Sequence, residues 1–294
     1  MKPLLWVALS IVILPQRIAA QGAAGVEKQT VSEPSISDLR RDAESGNPEA
    51  QYKLGLHYLD ASDVSRDDTE GLKWLRKSAE AGHPLSQVTL GLIYREGSHG
   101  TAENSAESVK WLRKAAEAGD AHGQSELGFM YERGEGVTKD AAEAARLYSL
   151  AADQGLSIAQ FDLGYMYEKG YGVPADPERA IKLYEKAAIR VPTARTNLAV
   201  LYADGKSVPS DSLKAYMWGL LAVSAEFNRM MSEKPQDLDS RLGRALLLLE
   251  RISKGMSKKV KNLGRTHATE WINSHSDQLG DEPRYFPLAT SGLK

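Results

Sequence analysis

The sequence contains no cysteine. That absence excludes a disulfide framework, a lipid-modified cysteine, a zinc–thiolate centre and a cysteine nucleophile. A fold without disulfides must hold by packing alone. Long apolar runs are also missing. The longest, Leu4–Leu14, has eleven residues, well short of the roughly 20 that a transmembrane helix needs. Clustered positive charge is scarce in the bulk of the chain. Residues 1–20 hold two bases, Lys2 and Arg17, and no acid, so the remainder carries 35 bases against 39 acids. A mildly acidic chain is a poor match for nucleic acid, whose phosphates call for clustered Lys and Arg.

Catalytic and metal signatures are absent too. The histidines at 57, 83, 99, 122, 267 and 275 are scattered, with no H-E-x-x-H and no paired ligand spacing. There is no G-x-S-x-G, P-loop or G-x-G-x-x-G. The one S-x-x-K ends on the last residue, Ser291 to Lys294, where nothing rigid can hold a site. The acid pair Asp67-Asp68 reads as a solvated turn. No cofactor and no metal ligand set is expected.

The N-terminus reads as an export signal. Lys2 gives a short positive region, Leu4–Leu14 the apolar core, and Pro15 breaks it. Small residues follow at Ala19, Ala20, Ala23 and Ala24, so cleavage after Ala20 or Ala24 is expected. An uncleaved anchor is the other reading. The expectation is a periplasmic or secreted protein of bacterial-type export, with no transmembrane segment in the mature chain.

The most informative feature is self-similarity. The phrase Leu-Gly-x-x-Tyr occurs at Leu54-Gly55…Tyr58, Leu90-Gly91…Tyr94, Leu127-Gly128…Tyr131 and Leu163-Gly164…Tyr167, with a fifth copy at Leu198-Ala199…Tyr202. A second phrase keeps the same period: Trp74 to Gly82, Trp111 to Gly119, Leu147 to Gly155, Leu183 to Ala188 and Trp218 to Ala222. Each unit reads as two helices. The first carries a small residue four positions before the Leu (Ala50, Ser86, Gly123, Ala159, Ala194), and spacings of three and four place these on one face. A recurrent small residue within a helix implies close approach of a neighbour, since Gly costs up to about 1 kcal/mol there. Gly97, Gly134, Gly170 and Gly205 suit left-handed positions after the first helix, and Gly82, Gly119 and Gly155 after the second. Asp140 and Asp176 are expected N-caps, with Pro177 at a first helical position. Pro192 replaces the Gly expected after the fourth second helix, so a tighter or bent junction is expected there.

This pattern resembles the Sel-one-like repeat (SLR) family, a relative of the tetratricopeptide repeat. Leu127-Gly128-Phe-Met-Tyr131-Glu-Arg-Gly134-Glu-Gly136-Val137 and Leu163-Gly164-Tyr-Met-Tyr167-Glu-Lys-Gly170-Tyr-Gly172-Val173 follow its phrase most closely. The first two loops depart from it. Asp60–Val64 lacks both glycines, and Glu96-Gly-Ser-His-Gly100 lacks the Val. The resemblance implies an all-α protein, a right-handed α-solenoid of about five helix-turn-helix repeats over residues 47–225. Residues 21–33 would be a linker, 34–46 an N-terminal capping helix, 226–275 C-terminal capping helices and 276–294 a flexible tail. Solenoids need such terminal units.

In tetratricopeptide proteins the first helices line a concave face. Carried over by position, the floor would be Tyr52 and Leu56, Val88 and Leu92, Ser125 and Phe129, Phe161 and Tyr165, then Thr196 and Val200. The rim would include Asp60, Arg95, Glu96, Glu132, Arg133, Glu168, Lys169 and Asp204. An apolar floor with a polar rim is the anatomy of a recognition surface. Leu56, Leu92 and Val200 also suit simple packing between helices, whereas Phe129, Phe161 and Tyr165 are favoured anchor types. The expected function is a non-enzymatic extracytoplasmic adaptor or regulator that binds a partner protein or peptide, in cell-envelope signalling or assembly. A cell-wall-associated or β-lactamase-like enzyme, as suggested for cysteine-rich relatives, is one alternative, although their paired cysteines are missing. A structural envelope spacer is another. Two further features stand outside this reading. The run from Arg251 to Arg265 holds six bases and no acid, and suits anionic lipid, an acidic partner or a solvated helix face. The segment Pro283–Leu288 is apolar for a terminus and suits folding back onto the solenoid.

Overall fold

The structure, a computed structural model, describes residues 36–60, 66–232, 238–275 and 278–279. The export signal, the linker and most of the C-terminal tail lie outside the described residues. Those described form thirteen α-helices and no strand. In chain order they are α1 (Ile36–Glu44), α2 (Pro48–Asp60), α3 (Asp68–Glu80), α4 (Pro84–Glu96), α5 (Ser105–Glu117), α6 (Ala121–Arg133), α7 (Ala141–Asp153) and α8 (Ser157–Lys169). Then come α9 (Pro177–Ala187), α10 (Pro192–Asp204), α11 (Ser212–Ser232), α12 (Leu238–Ser253) and α13 (Lys258–Ser274). The fold is an all-α solenoid of helix pairs. Two compact units divide it, Glu27–Asp176 and one that includes Pro177–Lys294.

Helix ends are where the sequence punctuation puts them. Asp67, Asn104, Asp120 and Asp140 cap α3, α5, α6 and α7 by accepting backbone N–H bonds of the first turn. Such a cap is worth about 1 kcal/mol over Ala. Asp67-Asp68 is therefore a helix start and not merely a solvated turn. Gly97, Gly134, Gly170 and Gly205 sit in the left-handed region just past α4, α6, α8 and α10.

Within Glu27–Asp176 every helix packs on the next, and α4 also packs on α6. First helices of successive repeats are thus neighbours. The recurring Leu-Gly site explains the pairing inside a repeat. A Cβ on Gly91 would lie 2.6 Å from Leu112 Cγ, so only a hydrogen there lets α4 close on α5. Leu75 and Leu112 are fully buried in this seam, each contributing roughly 2 kcal/mol of apolar burial. In the third repeat a tyrosine, Tyr148, takes the leucine's place against Gly128.

Three further contacts repeat with the sequence period and tie each repeat to the one before. Gln51, Gln87 and Gln160 are buried, and each donates its side-chain N–H to a carbonyl near the end of the preceding second helix (Ala43, Ala79 and Ala152, at 3.0–3.2 Å). The tyrosine of the Leu-Gly-x-x-Tyr phrase accepts from an arginine eighteen residues earlier: Arg40 to Tyr58, Arg76 to Tyr94 at 2.8 Å, and Arg113 to Tyr131 at 3.2 Å. Since α1 supplies both Ala43 and Arg40, it acts as a lone second helix, the expected N-terminal cap. The loops after α4, α6 and α8 each rest on the start of the preceding second helix. Gly136 meets Ser105 and Gly172 meets Ala141 so closely that a Cβ has no room. In the second repeat His99 occupies the matching position with φ 52°. Its ring Nδ1 lies 3.2 Å from Asp68 Oδ1 at the start of α3, so a side-chain contact substitutes for the backbone one.

In the other unit α9 packs on α10, α10 on α11, and α11 on both α12 and α13. Helix α11 runs past the expected repeat end at 225 to Ser232, so the fifth second helix and the start of the cap are one element. Pro192 opens α10 as its first residue. The junction before it is closed by Arg195, at the position filled by Gln in the earlier repeats. Its Nε donates to Ala188 O at 2.7 Å, Nη2 to Ile189 O at 3.3 Å and Nη1 to Leu221 O at 3.3 Å. Trp271 of α13 lies over the guanidinium at 5.0 Å, and edge-on to Trp218 at 5.6 Å.

Candidate binding face

The candidate face is formed by α2, α4, α6 and α8 of the Glu27–Asp176 unit, the first helices that successive packing sets side by side. Phe129 is at its centre. The ring leans on the buried cluster of Val88, Leu112, Leu127 and Met130. Two cations also lie against it: the Arg95 guanidinium is 5.4 Å from the ring centroid and that of Arg133 is 5.6 Å away. Such contacts are worth about 0.5–1 kcal/mol each at exposed sites. Arg95 comes from the neighbouring helix and is fixed by Glu126, Nη1 to Oε2 at 2.5 Å. Arg133 stays exposed. One repeat further on, Tyr165 is 42% exposed, and Lys169 Nζ lies 5.7 Å from its ring. Lys169 also pairs with Glu168 at 2.5 Å, which raises its pKa above the usual lysine range.

The remaining expected floor residues divide. Tyr52 is half-buried, its ring 5.0 Å from that of His83. Burial pushes its phenol upward, against a hydrogen bond with Thr89 of α4 that lowers it. Leu56 is half-buried on α2, and Leu92 leans on the same cluster as Phe129. Phe161 is half-buried and engaged in contacts of its own. Val88 needs correction, since at 2% exposure it belongs to the core and offers no surface. Ser125 is buried likewise. Its position is three residues before the motif Gly, as is that of Val88, and within the Glu27–Asp176 unit the small side chains there sink into the seam while the larger Tyr52 and Phe161 do not. Val200 and Thr196 are half-buried on α10, in the other unit.

Around the rim residue Glu132 gathers an acidic group whose other members, Glu126 and Asp162, the floor-and-rim scheme missed. Tyr148 reaches up from α7, and its hydroxyl donates to Glu132 Oε2 at 2.9 Å. Asp162 of α8 is raised from 3.8 to about 7, first by burial and then by the charges of Glu132 and Glu126. Glu126 and Asp162 occupy the same repeat position, two before the motif glycine, so stacking brings like charges together. Burial also lifts the Tyr148 phenol, helped by Asp162 and Glu132. His122 is lowered by burial, with Asp120 and Glu126 acting the other way. Among the described residues no group of three or more His, Asp or Glu is placed to hold a metal ion.

The Asp162 shift makes a stability prediction. The folded chain binds this proton more tightly than the unfolded chain, so stability falls as pH rises from about 4 to about 7. Asp162→Asn removes the titration. The stability gap between variant and parent should open over that interval and reach roughly 2–4 kcal/mol in the variant's favour at pH 8. Urea unfolding of both chains at pH 4 and pH 8 measures it. A gap independent of pH would contradict the assignment.

Helix pairs 48–83, 84–120, 121–156, 157–190 and 192–226 each match the model of the Sel1 repeat. The chain belongs to the Sel1 repeat family. Solved structures agree. The uropathogenic Escherichia coli protective antigen c5321, which displays an SLR fold, is 27% identical with a TM-score of 0.65 over 83% of this chain and 58% of that one. This chain therefore spans less than two thirds of that protein's length. A Sel1 repeat protein from Oxalobacter formigenes is 33% identical with a TM-score of 0.57, over 64% of this chain and 75% of that one. Comparison with curated proteins returns no match. Sel1 repeats are in general scaffolds for protein–protein interaction.

Proposed function

We propose that this Sel1 repeat protein is a non-enzymatic, exported adaptor that binds a segment of a partner protein along the first-helix face of its Glu27–Asp176 unit. The observation that carries the reading is Phe129 with the guanidinium groups of Arg95 and Arg133 against its ring, one repeat from the exposed Tyr165 and Lys169. Tyr and Arg are the side chains most often found as interface anchors. Aromatic rings give apolar area, and the adjoining cations give direction to a carboxylate-bearing partner. The partner chemistry that fits is a segment with apolar side chains flanked by Asp or Glu. Export rests on Lys2, the apolar run Leu4–Leu14 and the small residues to Ala24. It sets the partner in the cell envelope, in signalling or assembly. No helix among the described residues is long and apolar enough to cross a membrane.

A photo-cross-linking residue in place of Tyr165, compared with one in place of the exposed Lys110 on a second helix, tests the location. Capture of a discrete protein from Tyr165 but not from Lys110 is expected in the native compartment. Equal capture from both positions would contradict a first-helix site.

A further inference from the structure

Helix α12 has two faces of different kind. Ala245 and Leu249 are buried, and the helix packs on α11. On the other side Arg244, Leu247 and Arg251 are exposed at spacings of three and four. Arg251 also borders a cleft with Asp204, Ser212 and Ala215, and Lys254, exposed, follows in the turn just past the helix. Leu247 is 66% exposed, more than any other large apolar side chain among the described residues. Lys258 and Lys259, at the start of α13, are exposed as well.

The charge here is segregated. Residues 238–275 hold eight bases and three acids, within a chain of net charge −2. In the repeats several bases are matched within their own helices, as in Lys53–Glu49, Lys73–Glu70, Lys110–Glu107 and Arg146–Glu143. No such ion pair involves Arg244, Arg251 or Lys254 among the described residues. Solubility explains exposed bases but not a leucine projecting from the middle of them. Free cations around an outward apolar side chain are the pattern of a helix lying in a lipid headgroup layer, cations on phosphate and apolar groups in the acyl boundary. An acidic protein would satisfy the cations, yet would also need a recess for Leu247. A bilayer surface receives it without one.

We propose that the outer stripe of α12 and the turn that follows it dock the protein on an anionic lipid surface, with Arg244, Arg251 and Lys254 on headgroup phosphates and Leu247 entering the acyl boundary. The proposal is independent of the partner-binding face. Co-sedimentation of the full chain with vesicles tests it, using phosphatidylcholine alone and phosphatidylcholine mixed with phosphatidylglycerol. The apolar run Leu4–Leu14 serves both vesicle types equally, so the readout is their difference. Binding should favour the anionic vesicles and weaken with salt. Arg244→Gln/Arg251→Gln/Lys254→Gln should lower the anionic partition coefficient roughly a hundredfold, at about fivefold for each base. Leu247→Ala should lower it by a smaller factor, and Lys73→Gln/Lys110→Gln/Arg146→Gln should leave it unchanged. Equal binding to both vesicle types, or a triple variant that keeps the preference, overturns the proposal. So does binding to polyglutamate without binding to vesicles, which would assign the stripe to an acidic protein.

Discussion

Gly172→Ala should destabilise the Glu27–Asp176 unit by roughly 3 kcal/mol or more. Gly172 has φ +71°, and a Cβ built there lies 2.2 Å from the carbonyl oxygen of Ala141 and 2.4 Å from its carbonyl carbon. The left-handed conformation alone costs a side chain roughly 1–2 kcal/mol. The clash costs more, because the obstacle is backbone at the first residue of α7 and has no rotamer to escape into. Moving the loop away would also pull Tyr171 from its seat, where its hydroxyl reaches Glu132 O at 3.5 Å and its ring lies under Lys139. Gly155→Ala is the internal control. Gly155 has φ +88° with nothing within 4 Å of its Cβ position, so it should lose only the conformational share, about 1 kcal/mol. Urea unfolding of the two variants separates the clash from the backbone conformation. Equal losses would contradict an interlock between repeats at this loop.

Arg195→Ala should cost the other unit about 3–5 kcal/mol, since buried carbonyls left without this donor cost roughly 1–3 kcal/mol each. Three backbone carbonyls, of Ala188, Ile189 and Leu221, lose their donor at once. The side chain is 7% exposed, so its removal also leaves a cavity beneath Trp271. Burial lowers the guanidinium to about 10, still charged at neutral pH, so these are charge-assisted bonds. Arg195→Gln restores the residue type of the earlier repeats. It should keep the Ala188 bond, lose the Leu221 and Trp271 contacts, and fall between parent and Ala. Thermal melts followed by tryptophan fluorescence give the ranking. A glutamine variant as unstable as the alanine variant would show that Trp271, and not the carbonyl bonds, is what the arginine serves.

Much of the fold was legible because its determinants are local and periodic. Two phrases in phase gave the helix pairs. Glycines marked the left-handed ends. The recurrent glutamines Gln51, Gln87, Gln124 and Gln160 were visible at the same period but are polar, so a reading built on apolar stripes passed over them. Arg195 breaks that column, but only Pro192 marked the junction in the sequence. The face was less legible. Whether a side chain three residues before the motif glycine looks inward depends on its size and its neighbours, so Val88 sank while Tyr52 did not. Arg95 reaches Phe129 from thirty-four residues away in sequence, and Asp162 owes its shift to burial and then to acids on another helix. These couplings arise only when repeats stack.

The first-helix face is proposed to bind a protein segment through its aromatic and cationic side chains. The most direct measurement is the affinity of the cross-linked partner for the Arg133→Ala/Tyr165→Ala variant, by titration calorimetry. Both side chains are exposed, so the variant should keep the parent's helicity and melting temperature. Kd should rise roughly thirtyfold or more, as expected for loss of interface anchors. A folded variant that binds within twofold of the parent would contradict a binding role for this face.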